Sequence, residues 1–187
     1  MLLDKFSPAY DFNEVHSITI HASPERIFRA VKGVTPAEMP IFTLLIGLRA
    51  LPALLTGKRR RSFNNTQPLI GEALSRGFVL LAEQPNRELV VGTIGQFWRA
   101  VGGGYRVEDA QEFLTANPPG YAKAVMNFSI YRKLGSGGIR LRTETRIHIS
   151  DPGARKRFTH YWRVIHPGSA VIRIMWLRAI KRRAERA

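Results

Sequence analysis

The sequence predicts an α+β fold, a curved antiparallel sheet wrapped around a long C-terminal helix, in one domain spanning residues 1–187. Three observations predict it. Two β-prone stretches, Tyr121–Leu134 and Ile139–Ile149, flank the glycine-rich run Gly135-Ser136-Gly137-Gly138, which reads as a hairpin. The second stretch alternates Ile139, Leu141, Thr143, Thr145, Ile147 and Ile149 against Arg140, Arg142, Glu144, Arg146 and His148, so one face packs inward and the other meets water. After Asp151-Pro152, Phe158, Tyr161, Trp162 and Ile165 fall on one helical stripe, and Ile172, Trp176, Ala179 and Ile180 continue it. Pro167-Gly168 lies between the two and is expected to kink or break the helix.

The remaining elements follow in order. His16–His21 alternates with Ile18 and Ile20 on one face and reads as a strand. Ser23 then offers a cap, Pro24 suits the first helical position, and Ile27, Phe28 and Val31 make a short apolar face. Met39–Leu55 is strongly apolar, with Ile41, Leu44, Leu45, Leu48 and Leu55 at helical spacing. It is shorter than the ~20 residues of a spanning helix, and Pro52 interrupts it. A buried or cavity-lining helix, or one touching a membrane surface, is expected there. Leu69–Arg76 reads as a short helix stopping at Gly77. Phe78–Glu83 and Glu88–Ile94 read as strands joined by a turn, and Gly102-Gly103-Gly104 as a loop; Glu108–Ala116 fits helix and strand equally. Six or seven strands are expected in all.

The chain has 187 residues, no cysteine, and a formal charge of +15. Without cysteine there is no disulfide framework, thiolate nucleophile or cysteine-based zinc site. The amino-terminal residues show no secretory pattern, so a cytoplasmic location, free or peripheral to a membrane, is the expectation. The charge is clustered at Lys58, Arg59, Arg60 and Arg61, at Arg155, Lys156 and Arg157, and at Arg178, Lys181, Arg182, Arg183 and Arg186. Solubilisation and attraction of anionic partners both account for it. Base-stacking aromatics are not interleaved with the arginines, and no helix-turn-helix or zinc motif appears, which argues against sequence-specific nucleic-acid binding.

Three stretches carry a resemblance: Ile18-Thr19-Ile20-His21-Ala22-Ser23-Pro24-Glu25-Arg26-Ile27-Phe28, Leu141-Arg142-Thr143-Glu144-Thr145-Arg146, and Arg157-Phe158-Thr159-His160-Tyr161-Trp162-Arg163 with Pro167-Gly168-Ser169. With the order of elements, they make the chain resemble the START-like, or SRPBCC, helix-grip superfamily, as an uncharacterised bacterial branch. That superfamily includes plant pathogenesis-related allergens, polyketide cyclases and lipid-transfer domains. The resemblance implies an apolar cavity between sheet and helix, binding an apolar or amphipathic small molecule, and no shared catalytic set. Ala124, Met126, Phe128, Leu141, Thr143, Thr145, Tyr161 and Trp162 are the expected lining, with a filled core as the alternative. Lys58, Arg59, Arg60 and Arg61 would form an anion- or membrane-facing surface beside the cavity mouth.

Catalytic patterns are sparse. His16 and His21 are an odd number apart on their strand and point to opposite faces, and His160 and His166 are poorly spaced for one helical face, so no metal site and no cofactor is expected. No nucleophile elbow or phosphate-binding loop is present. Glu144, between Arg142 and Arg146, reads as a surface ion pair, or alternatively as a buried acid with arginine partners. The leading expectation is a lipid- or polyketide-like ligand carrier. A cyclase or dehydratase using the same cavity, and a basic membrane-surface module, are the alternatives.

Overall fold

The computed structural model describes residues 1–39, 42, 64–99, 103–132 and 137–186. The elements are α1 (Leu2–Phe6), β1 (Phe12–Ile20), α2 (Pro24–Gly33), a 3-10 turn (Pro36–Glu38), α3 (Leu69–Leu74), β2 (Val79–Gln84), β3 (Glu88–Gly95), β4 (Gly104–Tyr105), α4 (Ala110–Thr115), β5 (Ala122–Arg132), β6 (Ile139–His148) and α5 (Pro152–Arg186). Among the described residues six strands form one antiparallel sheet in the order β1-β6-β5-β3-β2, with β4 pairing β3. The long C-terminal helix α5 packs on β1 and α2. This is the α+β helix-grip arrangement that the sequence predicts.

Local chemistry explains the boundaries. Ser23 accepts a hydrogen bond from the Arg26 amide, and Pro24 opens α2. Asp109 likewise accepts from the Glu112 amide, which resolves the ambiguous Glu108–Ala116 stretch as helix α4. Gly77 ends α3's turn at φ +91°, a conformation that costs glycine nothing. Part of the expected Gly102–Gly104 loop is strand instead, since Gly104 pairs with Gly95.

The sheet is covered on both faces. On the inner face, Ile20, Phe28, Leu89, Met126, Phe128 and Leu141 pack with Trp176, Leu177 and Ile180 of α5. A second inner cluster, Ala122, Ile147, Ile149, Ala154 and Phe158, lies under the start of α5. On the outer face, Val90, Ile94 and Val125 pack against Leu3, Phe6 and Phe113.

Two expectations are corrected. Of the kink or break expected at Pro167, the break does not occur: α5 runs unbroken for 35 residues. Pro167 is exposed, and the turns on either side are anchored by the two inner clusters, so the packing outweighs the ~3 kcal/mol helix penalty of proline. Glu144 is not at the surface. It is 2% exposed, with Arg146 Nε at 2.8 Å and Arg142 Nη2 at 2.7 Å. Arg146 also reaches Asp4 and the Ser7 carbonyl, both at 2.8 Å. Next to it, Glu88 accepts from the Leu2 and Leu3 amides and from Asn127 Nδ2, while Asn127 Oδ1 accepts from the Glu144 amide. α1 thus docks over β3 and β5, the arginines of β6 reach its edge, and the paired charges there are structural.

The C-terminal basic cluster is also partly structural. Lys181 donates to the Thr19 carbonyl, Arg182 to the Glu38 carbonyl, and Arg183 to Glu38 Oε1 and the Gly33 carbonyl. These contacts tie the end of α5 to β1, α2 and the 3-10 turn.

Candidate functional site between the sheet and the middle of the C-terminal helix

Cross-strand register sorts the inner face into rows. His16, Thr143, Phe128 and Leu89 form one row. Glu14, Thr145, Met126 and Val91 form the next, and Phe12, Ile147, Ala124 and Thr93 the third. The eight expected lining residues divide between the sheet and α5. Ala124, Met126, Phe128, Leu141, Thr143 and Thr145 share the inner face. Tyr161 and Trp162 lie on α5 against Phe158, which stacks on Trp162 with ring centroids 5.7 Å apart. Lys58, Arg59, Arg60 and Arg61 lie outside the described residues, as does Met39–Leu55 apart from Met39 and Phe42, which are buried in the inner core.

The helix crosses these rows at an apolar end, a polar middle and a second apolar end. Phe158 and Trp162 sit over Phe12, at 4.9 and 5.9 Å between centroids. Trp176 meets Phe128 edge to face at 4.9 Å. Trp162, His166, Ser169, Arg173 and Trp176 follow one another at intervals of three and four, so they line one side of α5 over about 21 Å. Between the two tryptophans the apolar core is interrupted.

The polar groups in that interruption are specific. Glu14 is buried, and its oxygens are divided: His16 Nε2 lies 2.8 Å from Oε1, and Ser169 Oγ donates to Oε2 at 2.9 Å. Arg173 extends from α5 toward the same row, where Nη1 meets the Met126 sulfur and the guanidinium lies 5.8 Å from the Trp176 ring centre. Burial pulls its pKa down to about 10, partly offset by the negative charge of Glu14. Glu14 and Arg173 do not form an ion pair with each other. Two further atoms, Thr143 Oγ1 and Trp176 Nε1, are buried with no hydrogen-bond partner among the described residues. A buried polar group left unpaired costs about 1–3 kcal/mol, so these are atoms that an incoming group would satisfy.

Reasoning from sequence misses Glu14, Ser169 and Arg173, and considers His16 only as a metal ligand. A signal is present. Glu14 and His16 stand in phase with Phe12, Ile18 and Ile20, and a charged residue on an otherwise apolar strand face marks a polar spot in the core. Ser169 and Arg173 fall on α5's stripe at the point where its apolar pattern fails. Among the described residues no cluster of three or more His, Asp and Glu has metal-binding geometry, and no helix is long and apolar enough to cross a membrane.

No family model matches this chain, and no curated protein matches it. Solved structures align with it over most of its length. Protein MLL2253 from Mesorhizobium loti aligns over 94% of this chain and 98% of its own, with a TM-score of 0.42 and 14% identity. TTHA0849 from Thermus thermophilus aligns over 92% and 97%, at 0.34 and 12%. Ara h 8.0201 aligns over 94% and 99%, at 0.26 and 8%. Likenesses of this size transfer no residue role and no activity.

Proposed function

We propose that the protein binds an amphipathic small molecule in the space between the sheet and the middle of α5, as a carrier or sensor of that molecule. The observation that carries this reading is the pair of buried, partnerless atoms Thr143 Oγ1 and Trp176 Nε1, set beside Phe128 at the edge of the larger inner cluster, next to the polar middle of α5. Ligand sites combine apolar walls with a few placed polar groups, and this one offers Ala124, Met126 and Phe128 as wall beside Thr143, Trp176 and Arg173. Partial exposure of Ala124, Thr145, Ser169 and Arg173 supports access to the inner face.

Two measurements test it: native mass spectrometry of gently purified protein, and titration with the amphiphile 1-anilinonaphthalene-8-sulfonate. A co-purifying mass or saturable one-to-one probe binding is expected. Neither appearing would refute the reading.

A second reading, proton-transfer catalysis of cyclase or dehydratase type, draws on the His16–Glu14 pair. A carboxylate that holds an imidazole beside a ligand space is the usual way to position a general base. If this reading holds, His16→Gln abolishes turnover while leaving ligand affinity in place.

A further inference from the structure

The unpaired or weakly paired groups around the middle of α5 have one property in common: they can donate hydrogen bonds. The indole N–H of Trp176 can only donate. A guanidinium has five donors and accepts nothing, and Arg173 directs Nη1 to a thioether sulfur, a weak acceptor. Thr143 brings a hydroxyl proton with no acceptor in reach. The acceptors nearby are already engaged, since Glu14 is held by His16 on one oxygen and by Ser169 on the other.

These groups are also neighbours. Thr143 pairs with Phe128 across the strands, and Phe128 meets the Trp176 ring. Arg173 lies one turn before Trp176, over its ring, and touches Met126, the next inward residue on the strand of Phe128. What this set lacks is an acceptor carrying negative charge.

We propose that the ligand has a carboxylate at one end, and that Arg173, Thr143 and Trp176 receive it while the apolar tail lies along Met126 and Ala124 toward Phe12 and Trp162. This rests on the amphiphile-binding reading above. A carboxylate matches the planar guanidinium fork with two parallel charge-assisted bonds, which are about twice as strong as neutral ones. It also replaces the hydration that burial strips from Arg173, the cause of its lowered pKa.

The test is isothermal titration with dodecanoate, its methyl ester and dodecyl phosphate, against wild type and Arg173→Met, Arg173→Lys and Thr143→Val. Dodecanoate is expected to bind wild type at least about tenfold more tightly than the ester, the size of one charge-assisted interaction. Arg173→Met should erase that preference while ester affinity stays within about threefold, Arg173→Lys should keep part of it, and Thr143→Val should reduce it. Equal affinity for acid and ester, or a preference that survives Arg173→Met, would overturn the carboxylate and leave the amphiphile reading standing. Tighter binding of dodecyl phosphate than of dodecanoate would overturn it in favour of a phosphate head. If none of the three binds wild type, the amphiphile reading falls and takes this one with it.

Discussion

Ser169 on α5 donates a hydrogen bond of 2.9 Å to Glu14 on β1, 155 residues earlier in the chain. Ser169 lies two residues after Pro167, within the stretch of the helix whose sheet-facing side turns polar. Without Glu14 the middle of α5 would lose this polar tether to the sheet, and its hold would depend on Phe158 at one end and Trp176 at the other. The bond therefore holds the middle of the helix at a set height over the inner face, with a carboxylate that is itself held by His16.

Loss of that tether has a defined consequence. Ser169→Ala removes the hydroxyl but leaves Glu14 with His16, so the expected cost is about 1 kcal/mol by urea denaturation. Glu14→Leu removes the buried charge as well and should cost less than Glu14→Ala, which opens a cavity. Identical stabilities for all three variants and wild type would show that the middle of α5 is held by its ends alone.

On the outer face, Glu88 accepts from two amides of α1 and from Asn127. Glu88→Leu should cost about 2–4 kcal/mol, because it leaves the buried Asn127 amide without its acceptor and frees the amides of Leu2 and Leu3. Hydrogen exchange should show residues 2–6 losing protection first. Unchanged protection there would mean that Leu3 and Phe6 hold α1 without the carboxylate.

Gly92 has no room for a side chain. A methyl group there would come within 2.6 Å of Leu81 Cδ1 and 2.9 Å of the Phe113 ring. Gly92→Ala should therefore destabilise the protein by about 1–3 kcal/mol, the usual cost of overpacking a core. Gly71→Ala is the control, because its nearest neighbour is the side chain of Gln67 at 3.7 Å, and it should match wild type or exceed it.

What is legible in the sequence is periodicity. Alternation in Ile139–Ile149 places Leu141, Thr143 and Thr145 on the inner face, and the stripe from Phe158 to Ile180 marks the long helix. What stays hidden are relationships across large separations. Alternation alone assigns the polar side of β6 to water; only the placement of α1 on that side of the sheet reveals why Glu144 and Arg146 are buried. Glu14 and Arg173 are hidden for the same reason, since their significance lies in approaching one another across the core and having different partners. Pro167 carries a local penalty that sequence displays, while the packing on either side that overrides it appears only in the fold.

Ala124→Trp tests where the ligand's tail lies. Ala124 is partly exposed on the inner face, in the row of Phe12 and Ile147 and beside the aromatic cluster of Phe158 and Trp162. An indole there would fill the place proposed for the tail, between that cluster and Met126. Probe affinity should fall at least about tenfold with the fold retained, since occupying the space removes apolar contact worth over about 1.4 kcal/mol. Unchanged affinity would place the ligand's tail elsewhere.

Arg173 should make the ligand-free protein less stable than it would be without the charge. Its folded pKa of about 10 lies well below the usual arginine range because the charged form is desolvated, which Glu14 offsets only in part. Below pH 10 both the folded and unfolded chains carry the proton, so the fold bears the cost of a charge that is largely, though not wholly, withdrawn from water. Above about pH 10, until the unfolded chain also begins to lose this proton, the unfolded chain holds it more tightly, and stability contributed by this group rises with pH. Arg173→Met should therefore be more stable than wild type at pH 8, by about 1–4 kcal/mol, as when buried charges give way to apolar side chains of similar size. The gap should narrow as pH rises through about 10. Other titrating groups, including Lys123, whose pKa burial also lowers, are common to both proteins and cancel in the difference. Urea denaturation of the two proteins at about pH 8, 10 and 11 reads it directly. A variant less stable than wild type at pH 8 would mean that Arg173 is already compensated within the fold, which would remove the reason for it to seek an anion.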